Sequence, residues 1–225
     1  MRRILIIDDH PLFREALQSA ITRIMPKTEI HEASNFPEAL KAIRAVGRIH
    51  LVLLDLYMPN VRGFEGLLTL RTLYPTLPVA VISGQEDARF VRESLNYGAA
   101  GFIPKSYSKE QIASALSEIL EGNVFTPYDS DHIVMSPEEE EKAELARQLV
   151  SLTRQQLVVL KMVREGKLNK QIAHEIGLSQ TTIKSHVSEI LRKLNVISRT
   201  QAVLKLTKID FDSIAERLDE KDESG

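Results

Sequence analysis

His50–Pro59 reads HLVLLDLYMP. Leu51, Val52, Leu53 and Leu54 form an apolar run without helical spacing, the pattern of a strand covered on both faces of a parallel sheet. The run stops on a carboxylate. Asp55 therefore stands at the carboxyl end of a strand, where open α/β sheets place their chemistry, and Met58-Pro59 turns the chain out into a loop.

The same pattern recurs on either side. Arg3–Ile7 (RILII) is a second strand, followed at once by Asp8-Asp9-His10-Pro11. Further apolar runs at about 28–32, 78–82 and 100–104 alternate with helical patterns at about 11–24, 36–46, 63–73, 87–97 and 108–120. Pro26, Pro37, Gly63, Pro78, Gly98, Gly101 and Gly122 fall between these elements, as turn chemistry expects. The pattern predicts an α/β domain over 1–121 with a doubly wound parallel sheet.

Right-handed crossovers bring the carboxyl ends of such strands to one rim, which gathers Asp8, Asp9, Asp55, Ser83 and Lys105. Three carboxylates so close repel unless a hard cation lies among them, and Mg²⁺ with oxygen ligands is the expected cofactor. With such an ion and Lys105 a phosphoryl group can be neutralised, and one carboxylate can act as its nucleophile. Taken singly, each residue has a plainer role. Asp8 and Asp9 could cap the next helix, His10 reads as a helix-start residue rather than a metal ligand, and Phe102 could be a core aromatic.

Charge divides the chain further. Its 225 residues carry 29 Lys/Arg against 31 Asp/Glu and no cysteine, which excludes disulfides and thiolate chemistry. Residues 1–121 hold 14 cations and 14 anions, 122–150 hold 2 and 7, 151–209 hold 11 and 3, and 210–225 hold 2 and 7. A basic module between acidic flanks points to a polyanion such as nucleic acid. No apolar run approaches the roughly 18 residues of a membrane span, so the expected location is cytoplasmic, with no membrane partner.

Residues 122–150 read as an acidic linker: extended coil over Val124–Met135, then a short helix starting at Ser136-Pro137-Glu138 with a thin stripe of Ala143, Ala146, Leu149 and Val150. From Ser151 the periodicity is purely helical. Leu157, Leu160 and Val163 mark one helix, and Ile172, Ala173 and Ile176 a second. Gly177-Leu178-Ser179 is a tight turn, and Ile183, Val187, Ile190 and Leu194 mark a third helix whose opposite face keeps Thr182, Lys184, Ser185, Ser188 and Arg192. A helix–turn–helix with such a face suits the DNA major groove. A fourth helix over about 199–207 completes a small all-α module at 151–209, and the acidic tail, 210–225, is expected to fray despite its amphipathic start.

Two resemblances sharpen these readings. The strand-end set Asp8, Asp9, Asp55, Ser83 and Lys105 resembles the receiver domain of two-component response regulators, a flavodoxin-like (βα)5 fold. The resemblance implies that Asp55 accepts the phosphoryl group, while Asp8, Asp9, Asp55 and the backbone carbonyl of Tyr57 hold Mg²⁺. It further implies that Lys105 pairs with phosphoryl oxygens, Ser83 hydrogen-bonds them, and Phe102 is the aromatic switch. The sequence departs from many receivers in placing Pro104 before Lys105 and Ser106 after it. Tyr57 and Gln85 occupy positions that in the family tune hydrolysis, and a bulky Tyr57 is expected to obstruct water and prolong the aspartyl phosphate.

The second resemblance rests on NKQIA, then S-x-TTIKSHVSEILRKLNV-x-SRTQAV, within 151–209, and is to the LuxR/NarL-type helix–turn–helix. It implies that Lys184, Ser185 and Ser188 reach base edges and that Lys170, Thr181, His186 and Arg199 meet the backbone. Gln156 stands where the family usually has Glu. Together the two resemblances imply a transcription regulator in which phosphorylation of Asp55 controls dimerisation and binding to an inverted-repeat operator. They imply a sensor histidine kinase or small phosphodonor as its source, and RNA polymerase as a further candidate partner. Such a protein is not a turnover enzyme, although the receiver catalyses its own phosphorylation. A phosphorylation-independent receiver, serving as an interaction module fused to a DNA-binding domain, is the alternative. An aspartate-based phosphatase is disfavoured because Leu56-Tyr57 supplies no second acid after Asp55.

Overall fold

The computed structural model describes residues 2–59, 61, 63–128 and 135–219. Two compact units emerge, 1–136 and 137–225. Residues 129–134 of the expected coil and 220–225 of the tail lie outside the described residues.

The first unit alternates β1 (Arg3–Ile7), α1 (Pro11–Ile24), β2 (Glu29–Ala33), α2 (Phe36–Val46), β3 (Leu51–Asp55), α3 (Glu65–Leu73), β4 (Val79–Ser83), α4 (Ala88–Asn96), β5 (Gly101–Pro104) and α5 (Lys109–Leu120). All neighbouring strands pair in parallel, in the order β2-β1-β3-β4-β5. Ile4 and Ile6, Leu51 and Leu53, Ala80 and Ile82, and Ile103 share one face, packed with Leu17, Ile21, Ile112 and Leu116 of α1 and α5. The residues between them, among them Leu5, Val52, Val81 and Phe102, are buried on the other face, as a period of two requires. Burial on both faces explains the unbroken apolar runs.

β5 is an edge strand, and edges invite unwanted pairing unless covered. The Phe102 N–H donates to Phe125 O at 2.8 Å, and Gly101 bridges Phe125 in parallel. A Cβ on Gly101 would lie 2.7 Å from Ile119 Cδ1 and 3.1 Å from Phe125 O, so glycine is what lets the segment after α5 lie against the sheet. Part of the expected coil is therefore bound backbone.

The second unit contains α6 (Pro137–Val150), α7 (Arg154–Arg164), α8 (Asn169–Glu175), α9 (Gln180–Lys193), α10 (Arg199–Leu206) and α11 (Phe211–Asp219). Two expectations change here. The linker helix α6 falls inside this unit and buries Ala143, Leu145, Ala146 and Leu149. Phe211, Ile214, Ala215 and Leu218 of the tail are buried as well, with α11 packed on α7 rather than frayed. Burying a Phe, Ile or Leu side chain stabilises by about 1.5–3 kcal/mol each, enough to hold a short acidic helix in place. Arg154 reinforces it by donating to Leu218 O at 3.0 Å, and Arg164 pairs with Asp212.

Candidate functional site

The crevice forms where β1, β3, β4 and β5 end. Asp55 closes β3 and Asp8 follows β1; both are almost fully buried. Lys105, just past β5, places Nζ 2.7 Å from Asp8 Oδ2 and 2.7 Å from Asp55 Oδ2. Its ammonium also lies 4.8 Å from the centre of the Phe13 ring on α1. Pro104 fits the end of β5 because the next amide, Lys105 N–H, takes up the pairing with Ser83 O at 2.8 Å.

Burial pushes the Asp55 carboxyl above its ordinary range, outweighing the Lys105 hydrogen bond and the Tyr57 N–H that accompanies it. Burial works against the Lys105 charge too, but its hydrogen bonds to Asp55 and Asp8 prevail and hold the ammonium above its usual value. The lysine thus sets a fixed cation against the desolvated Asp55 carboxyl. Tyr57 N–H donates to Asp55 Oδ1 at 3.1 Å, fixing the carboxylate plane. Ser83 Oγ is fully buried and accepts Gln85 N–H at 3.1 Å, leaving its own proton to donate.

Asp8, Asp9, His10 and Asp55 can present ligand atoms within 4.8 Å of one another. Asp8 Oδ2 is engaged by Lys105 and Asp9 Oδ1 lies 2.9 Å from His10 Nδ1, and a donor set rich in carboxylate oxygen fits a hard divalent ion. The mouth is a cavity of about 780 Å³ lined by His10, Leu12, Phe13, Tyr57, Gln85 and Lys105 among others.

Tyr57 stands across this mouth. Its hydroxyl donates to Gln85 Oε1, and Gln85 Nε2 donates to Asp87 Oδ2 at 3.0 Å. Asp87 in turn caps α4 through the Phe90 N–H. The Tyr57 ring stacks on Phe90 at 5.9 Å, and Phe90 meets the buried Phe102 edge-on at 6.2 Å. Phe64 and Tyr97 extend the row. No spacing in the sequence announces this aromatic row, whose members come from loops and elements far apart in the chain.

In the second unit, Ser179 caps α9 by accepting the Thr182 N–H at 3.0 Å, and its hydroxyl meets that of Thr182 at 2.8 Å. Thr182 and His186 are half-buried, while Thr181, Lys184, Ser185, Ser188 and Arg192 are exposed on α9. Arg192 is held by both oxygens of Glu189, at 2.6 and 2.9 Å. Arg199 donates to Asn169 Oδ1 and Lys167 O, each at 2.6 Å, which ties the start of α10 to the start of α8. Gln156 Oε1 accepts from Lys193 Nζ at 3.0 Å and closes a capping box with Thr153.

The basic surplus is thus largely spent inside the unit. Arg154, Arg164, Lys167, Arg192, Lys193, Arg199, Lys205 and Lys208 all hold named partners, and Lys161 is engaged too. Of these eleven cations, Lys170 on α8 and Lys184 on α9 carry no intramolecular hydrogen bond or ion pair among the described residues.

Residues 4–117 match the response regulator receiver domain family, and residues 150–206 match the bacterial regulatory proteins of the luxR family. The chain is a LuxR-family DNA-binding response regulator. Such response regulators are transcription factors, not turnover enzymes. This response regulator is 43% identical over 221 residues to the glycerol metabolism activator of Pseudomonas putida, covering 96% of this chain and all of that protein. It is 29% identical to the nitrate/nitrite response regulator NarL of Escherichia coli K12, over 89% and 93% of the two chains. A LuxR-family DNA-binding response regulator from Silicibacter pomeroyi superposes with a TM-score of 0.50 at 33% identity, covering 56% of this chain and 98% of that one. The RcsB response regulator of Salmonella typhimurium gives 0.53 at 20% identity over 93% and 100%, a likeness of fold.

Proposed function

We propose that this response regulator accepts a phosphoryl group on Asp55, from a sensor histidine kinase or a small phosphodonor, and that the modified form dimerises on an inverted-repeat operator. The reading rests on one observation above the rest: carboxylates from two strands converge on Lys105 Nζ at 2.7 Å, in a crevice open to solvent.

An Asp55 oxygen attacks phosphorus in line while the bond from phosphorus to the donor's oxygen or nitrogen breaks, releasing acetate from acetyl phosphate or the imidazole of a phosphohistidine. Lys105 then transfers its contact from the carboxylate to a phosphoryl oxygen, and Ser83 donates its free hydroxyl proton to another. Asp8, Asp9, Asp55 and the Tyr57 carbonyl would hold Mg²⁺, which supplies charge neutralisation when bound. Movement of Ser83 and Phe102 acts on Phe90, the cap of α4 and the Phe125 pairing. That gives the crevice a route to the segment leaving the receiver.

On the DNA side, Lys184, Ser185 and Ser188 project from α9 toward base edges. Lys170, Thr181, Thr182, His186 and Arg192 border that surface, and Arg199 braces α10 against α8. RNA polymerase is the partner through which a bound activator would act. No described helix is long and apolar enough to cross a membrane, and the proposed place of action is the cytoplasm.

Sedimentation and operator binding, compared with and without phosphoramidate and Mg²⁺, test the reading. A dimeric, tighter-binding form should appear in wild type and not in Asp55→Asn. Identical behaviour of the two proteins with donor would contradict it.

A further inference from the structure

Phosphoryl transfer uses the floor of the crevice and leaves the character of its mouth unexplained. Leu12, in the first turn of α1, is 80% exposed, yet it lines the cavity together with Phe13 and with Ala16 one turn further along the helix. A lone exposed leucine needs no explanation, but this one continues into a row of apolar side chains around an opening. Phe13 packs on the receiver core and holds its ring centre 4.8 Å from Lys105 Nζ. The half-exposed Tyr57 ring also lines the mouth, fixed by its hydroxyl on Gln85 and its stacking on Phe90.

The polar neighbours are already engaged. His10 Nδ1 lies 2.9 Å from Asp9 Oδ1, Gln85 Nε2 donates to Asp87 Oδ2 at 3.0 Å, and Gly84 brings no side chain. The mouth therefore offers hydrocarbon, while the floor offers the Lys105 cation beside Asp55. In-line transfer places phosphorus between the attacking and leaving oxygens, so the leaving group is directed away from Asp55 and into this mouth. A cavity of about 780 Å³ far exceeds an acetyl group and falls within the range of small-molecule sites, roughly 300–1,000 Å³. Anionic head and apolar tail are the complement of this floor and these walls.

We propose that the small phosphodonor suited to this receiver is an acyl phosphate with an apolar chain longer than acetyl, its chain lying against Leu12, Phe13, Ala16 and Tyr57. This rests on Asp55 as the acceptor and names the class of its small donor. An Asp55 oxygen forms the bond to phosphorus, the bond from phosphorus to the acyl oxygen breaks, and the acid leaves as its carboxylate, so no further reactant is required.

The test compares acetyl phosphate, butyryl phosphate and phosphoramidate on the full-length protein with Mg²⁺, following the added phosphoryl mass with time. Acetate and butyrate are leaving groups of similar basicity, so the ratio of their rates reads contact with the chain, and phosphoramidate, with no acyl group, reads the chemistry alone. Butyryl phosphate should react about fivefold faster than acetyl phosphate at equal low concentration, a part of the roughly 15-fold that full burial of two methylenes allows. Leu12→Ser should bring that ratio close to one. A wild-type ratio of one or below, or a preference that survives Leu12→Ser, would overturn the apolar donor site while phosphorylation by phosphoramidate left Asp55 standing as acceptor. No added mass with any of the three donors would overturn the small-donor route and this proposal with it.

Discussion

The Phe102 N–H donates to the carbonyl oxygen of Phe125 at 2.8 Å, so the strand carrying the expected switch aromatic is pinned to the segment that leaves the receiver. Gly101 makes this approach possible, since any Cβ there would press on Ile119 and the Phe125 carbonyl. Gly101→Ala should destabilise the receiver by about 1–3 kcal/mol, the usual cost of forcing one methyl into a packed site. Urea unfolding measures that loss, and hydrogen exchange at the Phe102 amide should speed up more than exchange in β1. Unchanged protection at Phe102 would show that the pairing is incidental.

Burial holds the Asp55 carboxyl above its ordinary range, with Lys105 and the Tyr57 N–H only partly offsetting it. Below the ordinary carboxylate range, folded and unfolded states are both protonated and the group is neutral in its effect. As pH rises the unfolded chain ionises first, so the group becomes destabilising as pH climbs from the ordinary carboxylate range through the raised folded value. Asp55→Asn, which never ionises, should therefore raise the thermal midpoint at neutral pH, and the gain should shrink toward zero in acid. A gain that is equal at every pH would assign the effect to something other than the buried charge.

Tyr57 is tied to Gln85 across the mouth of the crevice and stacks on Phe90. On the proposed reading, that ring stands in the way of water attacking the aspartyl phosphate. Tyr57→Ala should shorten the lifetime of the aspartyl phosphate about tenfold, equivalent to about 1.4 kcal/mol in the barrier, followed as loss of the phosphorylated mass with time. Rapid decay that is unchanged by the substitution would remove Tyr57 from this role.

Among the described cations of 151–209, Lys170 and Lys184 carry no intramolecular hydrogen bond or ion pair. Lys184→Ala should cost about 1–3 kcal/mol of discrimination between operator and altered operator if it reads a base. Lys170→Ala should instead weaken all DNA alike and lower the salt slope by about 1. Competition binding at several salt concentrations separates the two, and a variant that changes neither affinity nor specificity has no DNA contact.

The alternation of strands and helices was legible because burial on both faces of a sheet leaves continuous apolar runs, and each limit moved by only a residue or two. The gathering of Asp8, Asp55 and Lys105 followed from handed crossovers alone, without any knowledge of side-chain contacts. The aromatic row from Tyr57 through Phe90 to Phe102 was not legible, since it joins a loop, a helix and a strand with no common period. Charge counts pointed correctly to a basic module but could not show that Arg199, Lys193 and Lys205 spend their charge on carbonyls and amides within it. The acidic composition of α6 and α11 suggested solvated segments, whereas a few buried apolar side chains on each decide where they lie.

The most direct test of the account is intact-mass measurement of wild type and Asp55→Asn after incubation with Mg²⁺ and phosphoramidate or acetyl phosphate. The account predicts the mass of one added phosphoryl group in wild type and none in Asp55→Asn. Equal phosphorylation of both proteins, or none in wild type with either donor or with a docked histidine kinase, would contradict the assignment of Asp55 as the acceptor.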